Sequence, residues 1–142
     1  MRRDEGILRR EVALTLPARA ENIAIVRYAF SALGDAVQMG EQTLSDIRLA
    51  LTEACTNVIV HAYPDRDDGV LEVEAIVEES AVTIVVRDEG GGIHPRADSP
   101  GLGLGLPLIA SVSDSVQLGH DAYGRTEVRM AFALSASDPD ER

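Results

Sequence analysis

Leu51-Thr52-Glu53-Ala54-Cys55-Thr56-Asn57-Val58-Ile59-Val60-His61-Ala62-Tyr63 is the stretch whose reading decides the fold. Leu44, Ile47, Leu51, Cys55 and Val58 recur at helical spacing, so it closes an amphipathic helix over about residues 41–62. Glu53 and Asn57 are four residues apart, which brings both to one helix face, and His61 continues that stripe one turn later. A carboxylate beside a carboxamide suits phosphoryl chemistry. The amide oxygen is a hard ligand for Mg²⁺, and the carboxylate can orient or deprotonate an attacking hydroxyl. The same pair can also be a solvated helix edge, although Asn is a poor mid-helix residue and nothing local rewards it there. His61, near the helix C-terminus, reads better as a dipole partner or packed residue than as a catalyst.

Outward from this helix the pattern alternates between helical and strand periods. Upstream, Val12, Leu14 and Leu16 alternate on one side of a short strand over residues 11–16, which Pro17 ends. Residues 18–37 form a helix with Ile23, Val26, Phe30 and Leu33 on its apolar side, and Gly40 punctuates. Downstream, Tyr63-Pro64-Asp65 stops the helix and Asp67-Asp68-Gly69 marks a turn. Two runs rich in β-branched residues follow, 70–77 and 81–86, with Glu78-Glu79-Ser80 as the hairpin turn. Residues 93–100 are irregular, a third helix fits 104–112, and 115–119 and 126–134 close the chain as strands. The implied class is α+β: a two-layer sandwich with a mixed, mostly antiparallel sheet and about three helices on one face.

Two glycine clusters sit at the joints of this pattern. Asp88-Glu89-Gly90-Gly91-Gly92 follows a strand; an acid there can accept a hydrogen bond from an exocyclic amino group such as that of adenine, and glycines let backbone approach a flat base. A glycine-rich turn is the plainer reading of that motif alone. Gly101-Leu102-Gly103-Leu104-Gly105 runs into the third helix, where free N–H groups approached through glycine form an anion cradle, or else a hinge. It is not the dinucleotide fingerprint, because Leu106 stands where the third glycine belongs. Near the end, Gly124-Arg125-Thr126 precedes the last strand; the Thr126 hydroxyl can bond a neighbouring carboxylate or simply cap a turn.

Composition prunes the alternatives. All 13 basic residues are arginine and none is lysine, which excludes a P-loop and the strand lysine of ordinary protein kinases. A net charge of −11 argues against direct binding of nucleic acid or anionic lipid. No apolar run approaches the ~20 residues of a membrane span, and no apolar signal core follows Met1-Arg2-Arg3, so a cytoplasmic location is expected. Cys55 is the single cysteine; it excludes an internal disulfide and reads as a small buried residue.

Together the motifs resemble the GHKL (Bergerat-fold) ATPases, and most closely the stand-alone anti-sigma-factor serine kinase family, over residues 11–134, with polar tails at 1–10 and 135–142. Residues 51–63 look like that family's N box, 88–92 and 101–106 like its two glycine boxes, and Gly124 with Thr126 like its closing element. The resemblance implies ATP and Mg²⁺ as cofactors. Asn57 would hold the metal and Glu53 would act as general base toward a protein serine. Asp88 would read the adenine amino group with Thr126 in support. Gly90 and Gly92 would shape the adenine pocket, and Gly101, Gly103, Leu104 and Gly105 would receive phosphates. The segment 93–100 is short beside the lids of well-known members, and Arg96 is its only basic residue, available to the γ-phosphate. The implied partners are a sigma factor and a STAS-domain anti-anti-sigma factor, and the first helix would permit a homodimer. A second reading keeps the pocket without the transfer: a regulator that sequesters a protein partner, with or without nucleotide.

Overall fold

The computed structural model describes residues 9–64, 67–90 and 102–134. Five strands, β1 (Arg9–Pro17), β2 (Val70–Val77), β3 (Ala81–Asp88), β4 (Ser115–His120) and β5 (Thr126–Ala133), pair in the order β1-β2-β3-β5-β4. Every pair is antiparallel, so the sheet expected as mixed and mostly antiparallel contains no parallel neighbours. Three helices, α1 (Ile23–Ala36), α2 (Glu41–Asn57) and α3 (Leu102–Val112), cover one face. Among the described residues no helix is long and apolar enough to cross a membrane.

Period-2 alternation builds the sandwich. Leu71, Val73 and Ala75 on β2, Val82, Ile84 and Val86 on β3, and Val128, Met130 and Phe132 on β5 all point to the helices and are buried. Val26, Phe30 and Leu33 from α1, Ile47, Leu51 and Cys55 from α2, and Ile109 from α3 meet them. Fully burying side chains such as Phe30, Ile47 and Leu51 contributes about 1.5–3 kcal/mol each. Val12, Leu14 and Leu16 of β1 pack on the edge of this core, as their alternation predicts.

Helix boundaries differ from the periodic reading where backbone geometry takes over. A 3₁₀ turn, Ala20–Asn22, precedes α1, which therefore starts later than residue 18. At its other end Gln38 takes a left-handed φ of 58°, and Met39 N–H bonds the Gly34 carbonyl while Gln38 N–H bonds that of Asp35. This is the double-bonded C-terminal motif that glycine usually closes. Gly40 instead opens α2, its carbonyl accepting the first helical bond from Leu44 N–H at 3.0 Å. The helix expected to run unbroken to residue 62 changes at Asn57 into a π-helical turn, Val58–Ala62.

The sheet's other face carries charge. Arg87 Nε reaches Glu127 at 2.7 Å, and its Nη1 reaches Glu72 and Glu74 at 3.1 Å each. Arg125 links Glu72 at 3.0 Å to Asp121 at 2.7 Å. Partial burial works against the charged Arg87, but its bonds to Glu127 and Glu72 outweigh that and hold its guanidinium above its ordinary value. Asp121 is pulled the other way: desolvation would raise its carboxyl, yet bonds from Arg125 and from Tyr123 N–H hold it below the usual carboxylate range. Its contribution to stability is therefore present above the ordinary carboxylate pKa, ~3.9, and is lost as pH falls through its lower folded value. Arg87→Met removes the shared cation and leaves Glu72, Glu74 and Glu127 facing one another. We expect a loss of about 2 kcal/mol at neutral pH. That loss should shrink as pH drops toward 4–5 (~, the carboxylate range), because protonation relieves the repulsion. Denaturant melts at several pH values check this; a loss that is constant with pH would contradict the charge argument.

Candidate functional site

The described residues hold three buried polar or charged side chains: Asn57 at 4% exposure, Asp88 at 2% and Thr126 at 3%. Burying such groups is costly unless something meets them. Each comes from a different motif of the sequence.

Asp88 is the last residue of β3 and Thr126 the first of β5, and the two are direct partners in the antiparallel register. Both follow the alternation of core-facing positions, so carboxylate and hydroxyl lie side by side under the helices at one end of the sheet. Asp88 Oδ1 accepts the Gly90 N–H at 3.0 Å, which aims the carboxylate from its own turn. Its second oxygen, Oδ2, is buried as well.

Asn57 is the last residue of α2, where the ladder widens into the π-helical turn, a distortion that recurs at functional sites. Its Nδ2 is buried and finds no hydrogen-bond partner among the described residues. The two ends of a carboxamide are nearly isosteric, and a half-turn puts Oδ1 there instead. Turned this way, the amide oxygen is a hard donor suited to a cation that a ligand's phosphates also hold. Mg²⁺ commonly takes only one or two protein ligands and completes its shell with phosphate oxygens and water. No group of three or more His, Cys, Asp or Glu poised for a metal occurs among the described residues, so no all-protein cage competes with that arrangement.

Glu53, one turn before Asn57 on α2, is half-buried, within reach of both interior and solvent. His61 is half-buried in the π-helical turn. Between Glu53 and Asn57, burial pushes the Cys55 thiol up to about 12, so it stays protonated and unreactive at neutral pH.

Gly90 is required by fold before it is required by any ligand. A Cβ there would fall 1.9 Å from the Ala62 carbonyl oxygen and 2.7 Å from its carbon. The glycine thus lets the end of β3 touch the end of the π-helical turn, joining the Asp88 end of the sheet to the Asn57 end of α2. Helix α3 starts at Leu102, two residues ahead of the expected start, so Gly103, Leu104 and Gly105 lie in its first turns. Pro107 sits inside it and has no N–H for the carbonyl four residues back. Gly92, Arg96, Gly101 and the whole segment 93–100 lie outside the described residues.

Sequence reasoning missed Tyr63. Its hydroxyl donates to the Val70 carbonyl at 2.7 Å and accepts the Glu89 N–H at 2.8 Å, next to Asp88. The available signal was an aromatic residue directly after the helix stripe, followed by Pro64.

An antiparallel sheet with three helices on one face, a buried acid–hydroxyl pair at the strand ends and an unmet amide on the adjacent helix describe a nucleotide-binding sandwich. The chain belongs to the histidine kinase-like ATPase domain family, whose match covers residues 16–132. It is similar to the serine-protein kinase RsbW of Bacillus mycoides, 29% identical over 126 residues that span 78% of each chain. It is also similar to the anti-sigma F factor of Clostridium beijerinckii, 27% identical over 129 residues, 83% of this chain and 90% of that one. Among solved structures, that of the RsbU and RsbW domains of Rv1364c from Mycobacterium tuberculosis superposes with a TM-score of 0.68 at 22% identity. The match covers 87% of this chain and 31% of the longer one, and it shows the shared fold.

Proposed function

We propose that this chain is an ATP- and Mg²⁺-dependent serine kinase acting as an anti-sigma factor, with a STAS-domain anti-anti-sigma protein as its phosphate acceptor. The observation that carries this reading is the coincidence of the buried polar side chains, Asn57, Asp88 and Thr126, with three separate nucleotide-site motifs. Relatives named as a serine-protein kinase and as an anti-sigma factor, each matched over most of its length, support the activity and the partner class. With no lysine in the chain, the phosphates must be met by helix-end amides, metal and arginine.

In this reading Asp88 accepts the adenine amino hydrogen bond, with the Thr126 hydroxyl beside it. Asn57 holds Mg²⁺, which when bound neutralises charge on the phosphates. The glycine-lined start of α3 presents N–H groups to them. Glu53 takes the proton from the acceptor serine as its oxygen bonds the γ-phosphorus; the bond from that phosphorus to the β–γ bridging oxygen breaks and ADP leaves. Half-burial suits that role, since the base must meet a macromolecular substrate from solvent. The sigma factor is held until the unphosphorylated antagonist displaces it, in the cytoplasm. A homodimer belongs to the same proposal: Ile25 and Tyr28 are 47% and 79% exposed on α1, one turn apart.

The test incubates the purified chain with Mg²⁺, γ-labelled ATP and the STAS-domain proteins of the source cell, followed by phosphosite mapping. Label on one serine of one antagonist is expected. If ATP binds by calorimetry while no antagonist is labelled, the kinase reading fails and the chain is a regulator that holds nucleotide without spending it.

A further inference from the structure

Tyr63 joins three segments that are distant in sequence. It ends the π-helical turn, its hydroxyl donates to Val70 at the start of β2, and it accepts the Glu89 N–H just beyond β3. Its ring is wedged between two glycines. A Cβ on Gly69 would lie 2.2–2.4 Å from ring atoms of Tyr63, and one on Gly90 would lie 3.1 Å from ring Cδ1. The side chain is 7% exposed, so the ring is locked by contacts on both sides as well as by its hydroxyl.

The residues held this way are those that aim Asp88. Glu89 N–H goes to Tyr63 Oη, Gly90 N–H goes to Asp88 Oδ1, and the Gly90 Cα rests against the Ala62 carbonyl. The peptide after Asp88 therefore has its position set from the α2 side, and the carboxylate inherits that position. Phenylalanine would keep the wedge and lose both hydroxyl bonds.

We propose that Tyr63 is a positioning residue for base recognition: its hydroxyl fixes the 88–90 turn so that the Asp88 carboxylate meets an exocyclic amino group. The inference rests on the reading of Asp88 as the adenine acceptor. Tyr63 acts through the backbone of Glu89. The specific consequence is a loss of discrimination. A displaced carboxylate bonds the 6-amino group less well, whereas a purine without that group has nothing to lose.

The experiment titrates wild type and Tyr63→Phe with ATP·Mg²⁺ and with the triphosphate of purine riboside, which lacks the 6-amino group. Tyr63→Phe should bind ATP about tenfold more weakly, the size of one good hydrogen bond. The unsubstituted analogue should lose less than about twofold, so the preference for ATP falls by about fivefold or more. Turnover at saturating ATP should stay near wild type, giving an effect on KM without one on kcat. Equal weakening toward both ligands, or an unchanged preference, overturns the positioning role. A wild type that binds both ligands equally removes the adenine-reading role of Asp88, and this inference with it; a wild type that binds neither removes the proposed function itself. Amide hydrogen exchange at Glu89 of the wild type supplies a measurement independent of whether the variant folds. Protection before nucleotide is added is expected, and a fast-exchanging Glu89 amide overturns the proposal.

Discussion

Glu53→Gln should lower phosphoryl transfer to the antagonist serine by roughly 10²–10⁴-fold, the range for losing a positioned general base. ATP affinity should change by less than about threefold, because the substitution is isosteric and Glu53 is assigned no contact with base or phosphate. The split between transfer and binding is the informative part. Asn57 and Glu53 share one helix face, so a change that disturbed α2 would weaken metal-dependent binding and transfer together. Single-turnover transfer with labelled ATP, read beside calorimetric ATP affinity, separates the two. Transfer within tenfold (~) of wild type would remove Glu53 from the role of base, since general bases contribute more than that.

The second large effect concerns a residue without a side chain. Gly90→Ala places a methyl group 1.9 Å from the Ala62 carbonyl oxygen, and the two nearest obstacles are backbone atoms. No rotamer relieves it. The end of β3 must move away from the π-helical turn, at a cost of about 2–3 kcal/mol in stability. Because Gly90 N–H also bonds Asp88, the same movement swings the carboxylate and should abolish measurable ATP binding at micromolar nucleotide. Gly119→Ala is the internal control: nothing lies within 4 Å of a Cβ there, so stability should change by no more than about 0.5 kcal/mol. Denaturant unfolding of both variants decides it, and a Gly90→Ala protein as stable as Gly119→Ala would contradict the close approach.

These expectations show which parts of the molecule a sequence discloses. Asn57 stood out as a carboxamide inside a helical run, and Asp88 and Thr126 as polar residues at strand ends; all three side chains are buried in the fold. The strands were legible because buried positions recur at every second residue along most of β2 and β5, with half-buried ones between. Three features were not. Gln38 adopts the left-handed conformation without being glycine, so the end of α1 carried no local mark and Gly40 drew attention instead. The π-helical turn leaves the apolar spacing almost unchanged, since a single widened turn shifts the stripe by less than a residue. Tyr63 acts through Val70 and Glu89, 7 and 26 residues away, a juxtaposition set by the β2–β3 pairing rather than by local pattern. The charged outer face was hidden for a similar reason: Arg87 meets Glu72, Glu74 and Glu127 only once three strands are in register.

The chemistry of Cys55 has a practical reach beyond the site. The chain has one thiol, buried and with its acidity pushed to about 12, so alkylating reagents at neutral pH find no nucleophile on the native protein. For labelling purposes this is a cysteine-free background that needs no prior mutagenesis. The exposed turn at Glu79 closes β2 to β3 at the end of the strand opposite Asp88. A cysteine introduced there would be the sole reactive handle, separated from the Asp88 end by about 25 Å at 3.4 Å per residue. A fluorophore on that turn would leave the Asp88 end of the sheet chemically untouched.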